Sequence, residues 1–247
     1  MIGPDARDWL RPDWHPHPRV RVAVTTRAGN TSPPPWQGFN LGLNTGDEPE
    51  RVRAAREKVH AELATVHAPA WLRQVHGARV VQADGGEPEA DGVWTDEPGR
   101  PCGVLTADCL PVLLARTDGT AVGAFHAGWR GLHAGILSAA VETLAPEGEG
   151  LAAWLGPRIC RRCYQVGEEV YQAFTASDPE AGKTFDPDPE PGHWRADLHH
   201  LADLFLWRLG VAQIERDGHC TVCHNHFFYS HRQEGRTGRF ASLIWLE

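Results

Sequence analysis

The sequence predicts a single α+β domain spanning residues 1–247, with a mixed β-sheet core and flanking helices. Short apolar, β-prone runs recur from residue 19 to the last residues, and amphipathic stretches with helical spacing separate only some of them. No repeat and no linker divides the chain. RVRVAVTT (19–26) sets Val20, Val22 and Val24 at period two, as in a half-buried strand. From Gly29 to about Gly46 the chain is rich in Gly, Pro and Asn, and Pro33 to Pro35 forbid regular structure there. Asp47, with Glu50 three residues on, opens a helix through about Ala64, with Val52, Val59 and Leu63 on one face. AWLRQVHGARVV reads as two short strands meeting near His76.

The middle of the chain alternates strand and turn. Segments 103–109, 110–115 and 120–126 are apolar and β-prone. Gly128 and Gly131 bracket a turn into a helix carrying Leu132, Ile136, Ala140 and Leu144. A further strand is expected at 152–156 and a short helix at 167–176. The Asp/Glu/Pro-rich stretch 177–192 reads as an exposed loop. Asp197 caps an amphipathic helix with Leu198, Leu201, Phe205 and Leu209, and Gly210 stands in the stop position. The last strands are expected at 226–230 and 240–246.

The chain is large enough to bury a substantial core, and 41% apolar with 23% charged residues is ordinary for a soluble globular protein. No apolar run approaches the ~20 residues needed to span a bilayer. The start, MIGPDARDWLRPDW, has neither a basic segment nor an apolar stretch, so the cytoplasm is the expected compartment and no membrane partner is expected. A formal charge of −8 argues against nucleic-acid binding through the phosphate backbone, although a local basic pocket for a small anion is compatible with it. Six cysteines in a chain of 247 residues are a poor disulfide framework in a reducing compartment and point to packing, metal binding or chemistry. Nothing in the sequence specifies an oligomer, and a monomer is the default expectation.

Three segments each end a strand with a soft or borderline metal ligand: RQVHG (His76), TADC (Cys109) and FHAGWRG (His126). Imidazole and thiolate together suit zinc, and three protein ligands with an open fourth position define a catalytic site. Spacings of tens of residues leave it to the fold to bring them together; singly, each also reads as a packed thiol or a satisfied polar ring.

QVHG, ADGVWTDEPGRPCGVLTADCLPVLL, GAFHAGWRGLHAGIL and FYSHRQEGRTGRFASLIWL, with the earlier NTSPPPWQGFNLGLNTGDEPERV, closely resemble the YfiH-like family. Its members are also called laccase-domain or multicopper polyphenol oxidoreductase-like proteins and peptidoglycan editing factors. The likeness runs from about residue 20 to the end. It implies a zinc ion on His76, Cys109 and His126. It also implies phosphorolysis of purine nucleosides, with cleavage of methylthioadenosine and deamination of adenosine as companion activities, the substrates being purine nucleosides and phosphate. The older laccase label implies copper and phenol oxidation instead, and the editing-factor label fits a cysteine hydrolase acting on peptidoglycan precursors, with Cys109 as nucleophile, His126 as base and Asp108 as orienter.

Phosphorolysis needs phosphate held beneath a sugar carbon that becomes positive as the base departs. Arg130 in HAGWRG is the catalytic candidate for that clamp, and Arg73 in RQVHG and Arg239 in TGRF are substrate-binding candidates; each also reads as a salt bridge or a solvated charge. Asp108, beside Cys109, is the natural acid/base carboxylate or a turn-capping Asp. Asn40 and Asn44 in NLGLN are substrate contacts or turn formers. Cys160–Arg–Arg–Cys163 and Cys220–Thr–Val–Cys223 together make a four-thiolate structural zinc set or a group of buried thiols. A multicopper oxidase needs several imidazole-rich sites, whereas the sequence offers as HxH motifs only His224–Asn–His226 and His15–Pro–His17.

Overall fold

The structure, a computed structural model, describes residues 9–29, 31–147 and 150–247. Residues 1–8, the first part of the MIGPDARDWLRPDW start, and Asn30 of the NTSPPPW motif lie outside the described residues. In chain order, β1 (Val20–Val24) leads through an irregular loop to α1 (Pro49–Leu63). Then come β2 (Val80–Gln82), β3 (Gly92–Thr95), β4 (Cys102–Thr106), β5 (Leu110–Arg116) and β6 (Val122–Ala127). These are followed by α2 (Trp129–His133), α3 (Ile136–Leu144), β7 (Leu151–Leu155), β8 (Gln165–Gly167) and α4 (Glu168–Thr175). The last elements are β9 (Phe185–Pro187), β10 (His193–Ala196), α5 (Leu198–Arg208), β11 (Gln213–Arg216), α6 (His231–Glu234) and β12 (Phe240–Leu246).

The expected mixed sheet has six strands in the order β11-β7-β5-β6-β3-β2. Its two outermost pairs, β11 with β7 and β2 with β3, are parallel, and its inner pairs are antiparallel. A second, antiparallel sheet has the order β1-β12-β4, and β8-β10-β9 form a small third one. Side-chain alternation turns these sheets into layers. On β5, Leu110, Val112 and Leu114 join a core that includes Ile136, Leu137, Ala140 and Leu144 of α3 and Leu201 of α5. From the opposite face Leu113 and Ala115 meet Val22, Val24, Val104 and Ile244 of the smaller sheet. The outer face of that sheet, with Ala241 and Leu243, packs on Ala55 and Val59 of α1. The order is helix, sheet, sheet, helices. Strands covered on both faces read as continuous apolar runs, which is why LPVLLA and VGAFHA show no clear alternation.

The sequence reading differs from the structure at several points. Of 71–82 only β2 is a strand, and residues 70–73 make single bridges to Cys102 and Glu89. The helix after Gly128 is broken into α2 and α3 at Gly135, which adopts a left-handed φ of 89°. Asp47 does not cap α1. Its carboxylate accepts hydrogen bonds from Ser32 Oγ and Asn40 Nδ2, and the helix starts at Pro49. The loop 177–192 contains a 3-10 turn, Pro179–Thr184, and β9, with Ala181, Thr184 and Phe185 buried. Segment 226–230 forms turns leading into α6 rather than a strand, with Phe228 and Tyr229 fully buried. β3, β8, β10 and β11 are additional strands; β11 is exposed apart from half-buried Ile214, so it carries little pattern to read.

Candidate active site

β5 and β6 pair antiparallel with Leu110 opposite Ala127 and Pro111 opposite His126. One step further in that register, Cys109 lies opposite Gly128. The approach is close: a Cβ at 128 would stand 2.9 Å from Cys109 Sγ and 3.4 Å from His76 Cδ2, so glycine leaves the space the thiol occupies. His76 arrives from the loop before β2. Its ligand atom and those of Cys109 and His126 lie within 4.8 Å of one another. His126 is buried, Cys109 half-buried and His76 exposed.

Asp91, at the entrance to β3, organises this trio. Its fully buried carboxylate accepts from the backbone N–H groups of Val75 (3.2 Å), His76 (2.9 Å) and Gly77 (2.7 Å) and bonds His126 Nδ1 at 2.8 Å. Three amides converging on one carboxylate hold His76 at φ 63°, a left-handed conformation uncommon outside glycine. The bond at Nδ1 fixes the His126 ring and leaves Nε2 as its open ligand atom, the arrangement found behind metal-bound histidines. Burial penalises the Asp91 carboxylate, yet the His126 and backbone hydrogen bonds hold it below the ordinary range. Burial likewise opposes a Cys109 thiolate, but the charge and hydrogen bonds of His126, joined by His76, bring the thiol down to about 6. Burial opposes a charged His126, and the Cys109 thiolate with Asp91 raises it nevertheless.

The trio opens onto a cavity of about 520 Å³, within the range that small-molecule sites occupy. Its walls include four arginines, Arg56, Arg130, Arg232 and Arg239. Arg130 is exposed, with its guanidinium 4.5 Å from the Trp129 ring centre. Arg239 comes from the segment before β12 and donates Nη1 to the Thr237 and Gly238 carbonyls. Arg56 reaches in from α1, donates to the Leu41 carbonyl and to Glu87, and lies over Trp71. Burial pulls both Arg56 and Arg239 down, an effect that neighbouring acidic groups oppose.

The remaining sequence candidates divide. Asn44 is exposed on the cavity wall. Asn40 is fully buried outside it, donates to Thr45 Oγ1 and Asp47, and accepts the Gly42 and Arg239 backbone N–H groups, tying this loop to the segment that carries Arg239 into β12. Arg73 is paired with Glu89 at 2.7 Å on the surface and is absent from the cavity lining. Asp108 lines the cavity at φ 100°, but its carboxylate accepts Thr221 Oγ1, Ser230 Oγ and the Arg232 backbone N–H, each at 2.6 Å. Both oxygens are engaged in holding the 221–232 segment. Sequence reasoning passed over Asp91, Arg56, Trp129 and Tyr164. Asp91 had a signal, since ADG directly precedes a strand that pairs with the HAGWRG strand, but an isolated Asp–Gly reads first as a turn.

A family profile described as multi-copper polyphenol oxidoreductase laccase matches residues 21–247. The chain belongs to this family. Over 97% of its length and 98% of the relative's it is 45% identical to a purine nucleoside phosphorylase of Pseudomonas aeruginosa. It is 42% identical to purine nucleoside phosphorylase YfiH of Escherichia coli, over 95% and 97% of the two chains. The crystal structure of a Neisseria meningitidis protein superimposes with a TM-score of 0.90 at 42% identity, covering 97% of this chain and 99% of that one. YlmD from Geobacillus stearothermophilus also gives 0.90, at 30% identity over 100% and 99%. The family's description speaks of several copper ions. Among the described residues, two groups of three or more His, Cys, Asp or Glu are close enough to share an ion: the trio above, and Cys160, Cys163, Cys220 and Cys223. Neither HxH motif joins them, His15 being paired with Asp13 and His224 with the Cys220 backbone.

Proposed function

We propose that the chain is a zinc-dependent purine nucleoside phosphorylase, converting adenosine, inosine or guanosine and phosphate to the free base and ribose 1-phosphate. Adenosine deamination and methylthioadenosine phosphorolysis are its side activities. The observation that carries this reading is the juxtaposition of His76, Cys109 and His126 with Arg130 and Arg239 around one cavity. Full-length likeness to relatives named for that activity supports it. The donor set fits zinc: two imidazoles and a thiolate, one ring oriented by a buried carboxylate, and no fourth protein ligand within the group. Copper binds such donors more tightly in raw affinity and is the alternative occupant. Zinc, when bound, supplies Lewis-acid stabilisation of negative charge.

Phosphate is held by the charged forks of Arg130 and Arg239, with Trp129 keeping Arg130 in place by stacking on it. A phosphate oxygen bonds to C1′ as the C1′–N9 bond breaks, and the base leaves with the bonding pair. Positive charge develops at C1′ meanwhile, and the anion beneath it lowers the barrier. Tyr164, Trp129 and Ile159 form the apolar wall for the purine, and Asn44 is placed to meet the ribose. Asp108 is assigned a positioning role, because its three hydrogen bonds fix the Arg232 side of the cavity. Asn40 acts through Arg239, and Arg73 has no part. The enzyme acts as a cytoplasmic monomer on free nucleosides, without nucleic acid or membrane; no helix among the described residues is long and apolar enough to cross one.

The test is phosphate-dependent release of adenine and ribose 1-phosphate from adenosine, with zinc analysis, on the natural chain and on Cys109→Ala. Turnover that requires phosphate and zinc and disappears in the variant is expected. No turnover of any nucleoside by zinc-loaded protein overturns the reading. One observation favours a second: Cys109, His126 and Asp91 also form the nucleophile, base and orienter of a cysteine hydrolase, with Asp91 where Asp108 was expected. Activity that survives metal removal and is abolished by alkylating the metal-free protein selects that reading.

A further inference from the structure

Cys160 precedes and Cys163 ends a 3-10 turn after β7, and Cys220 and Cys223 lie in a turn after β11. The two turns meet beyond the C-terminal ends of the parallel pair β7 and β11. Arg158 bridges Cys220, the Thr221 N–H donates to the Arg158 carbonyl at 3.0 Å, and the Cys160 N–H points at Cys220 Sγ at 3.3 Å. All four sulfurs lie within 4.8 Å of one another and none is in a disulfide. Cys163 Sγ is 3.7 Å from Cys160 Sγ and 3.6 Å from Cys223 Sγ.

We infer that these four cysteines bind a second, structural zinc ion as a closed tetrathiolate. A tetrahedron with Zn–S bonds of about 2.3 Å has edges of about 3.8 Å, the spacing that the Cys160–Cys163 and Cys163–Cys223 sulfur pairs already approach. A disulfide would need its sulfurs at about 2.05 Å, far inside either separation. Two CxxC turns facing each other fill all four coordination positions, so no site remains for substrate and the ion's role is to hold structure. Backbone N–H donation to a sulfur, as from Cys160 to Cys220, stabilises a thiolate in such a site. Cys223 is exposed and Cys220 buried, so the set has a solvent side from which a metal can enter.

The ion would staple two segments that build one wall of the cavity. Ile159 and Tyr164, on either side of the first CxxC, line the cavity, and Thr221 inside the second holds Asp108. Neither segment has a long sheet or helix to fix it: the first is a three-residue 3-10 turn and the second a run of turns. A cross-link is what such segments lack.

The test uses Cys109→Ala, in which the first metal centre has lost its thiolate, so any metal–thiolate signal belongs to the second. Under reducing conditions the purified variant is expected to retain about one zinc per chain after dialysis. Replacing that zinc by cobalt(II) is expected to give intense thiolate-to-cobalt absorption and the visible bands of a tetrahedral ion. Adding Cys163→Ser and Cys223→Ser is expected to abolish both. Should those variants fail to fold, chelator extraction of Cys109→Ala followed by zinc sulfate supplies the readout: Tm falls, recovers with zinc, and the four thiols become protected again from a thiol reagent. Reduced Cys109→Ala that holds no zinc, takes up none, and keeps four freely reactive thiols at unchanged Tm overturns the inference. Nucleoside turnover is not read, so failure of the phosphorylase reading leaves this result standing.

Discussion

The described residues include two thiol-containing clusters, and they are built in opposite ways. His76, Cys109 and His126 come from three separated segments, expose an edge to a cavity, and stop at three donors. Cys160, Cys163, Cys220 and Cys223 come from two tight turns and reach four. The first depends on the register of β5 against β6 and on Asp91; the second depends on local turn geometry. An incomplete donor set beside a cavity leaves a place for a reacting molecule, whereas a complete one leaves none. Cysteine content alone distinguishes neither.

The largest effects should come from exchanging damage between the clusters. Cys109→Ala is expected to lower kcat/KM for phosphorolysis by about a hundredfold or more. Cys163→Ser is expected to lower Tm while leaving turnover per folded molecule within about threefold, as a structural rather than catalytic site would; steady-state kinetics with calorimetry on both variants checks this. Next comes Asp91→Asn, which keeps the side-chain shape but removes the charge opposite His126. Metal affinity at His76, Cys109 and His126 should fall by about 10- to 100-fold in chelator competition, and Asp108→Asn should change it far less. Arg130→Ala is expected to raise the KM for phosphate about tenfold, the cost of a charge-assisted hydrogen bond. Arg73→Ala, on the surface with Glu89, should leave it within about twofold. The smallest is Gly128→Ala, whose new Cβ crowds Cys109 Sγ. A severalfold loss of metal affinity at unchanged zinc stoichiometry is expected, measured by the same competition.

These comparisons also show what a sequence conceals. The layered strands were legible because β5, β6, β7 and β12 are apolar on both faces, and their register then brought Cys109 and His126 together. His76, Cys109 and His126 were legible as members of motifs. Asp91 was not, because its importance lies in three backbone N–H groups from a loop 14–16 residues earlier, and no side-chain pattern reports backbone convergence. Arg56 reads as a charge on the outer face of an amphipathic helix, yet it is 9% exposed over Trp71. Conversely, Arg73 sits inside a motif but faces Glu89 and solvent. Motif membership located the site; tertiary contacts decided which of its residues enter the cavity. The 177–192 segment teaches the same from the fold side, since Phe185 anchors in the helical core despite its acidic and proline-rich neighbours.

The pairing of Val20 with Leu246 joins the first strand to the last. That ladder closes a loop of nearly the whole chain, an entropic cost met before its contacts return anything, so it belongs among the late events of folding. Arg239 precedes β12 directly and is tied to Asn40 of the loop after β1. The cavity therefore acquires one of its cations only when the two ends of the fold dock. A chain in which only the helix-covered half has formed carries Arg130 without Arg239, so the full set of cavity cations is itself a signature of completed folding.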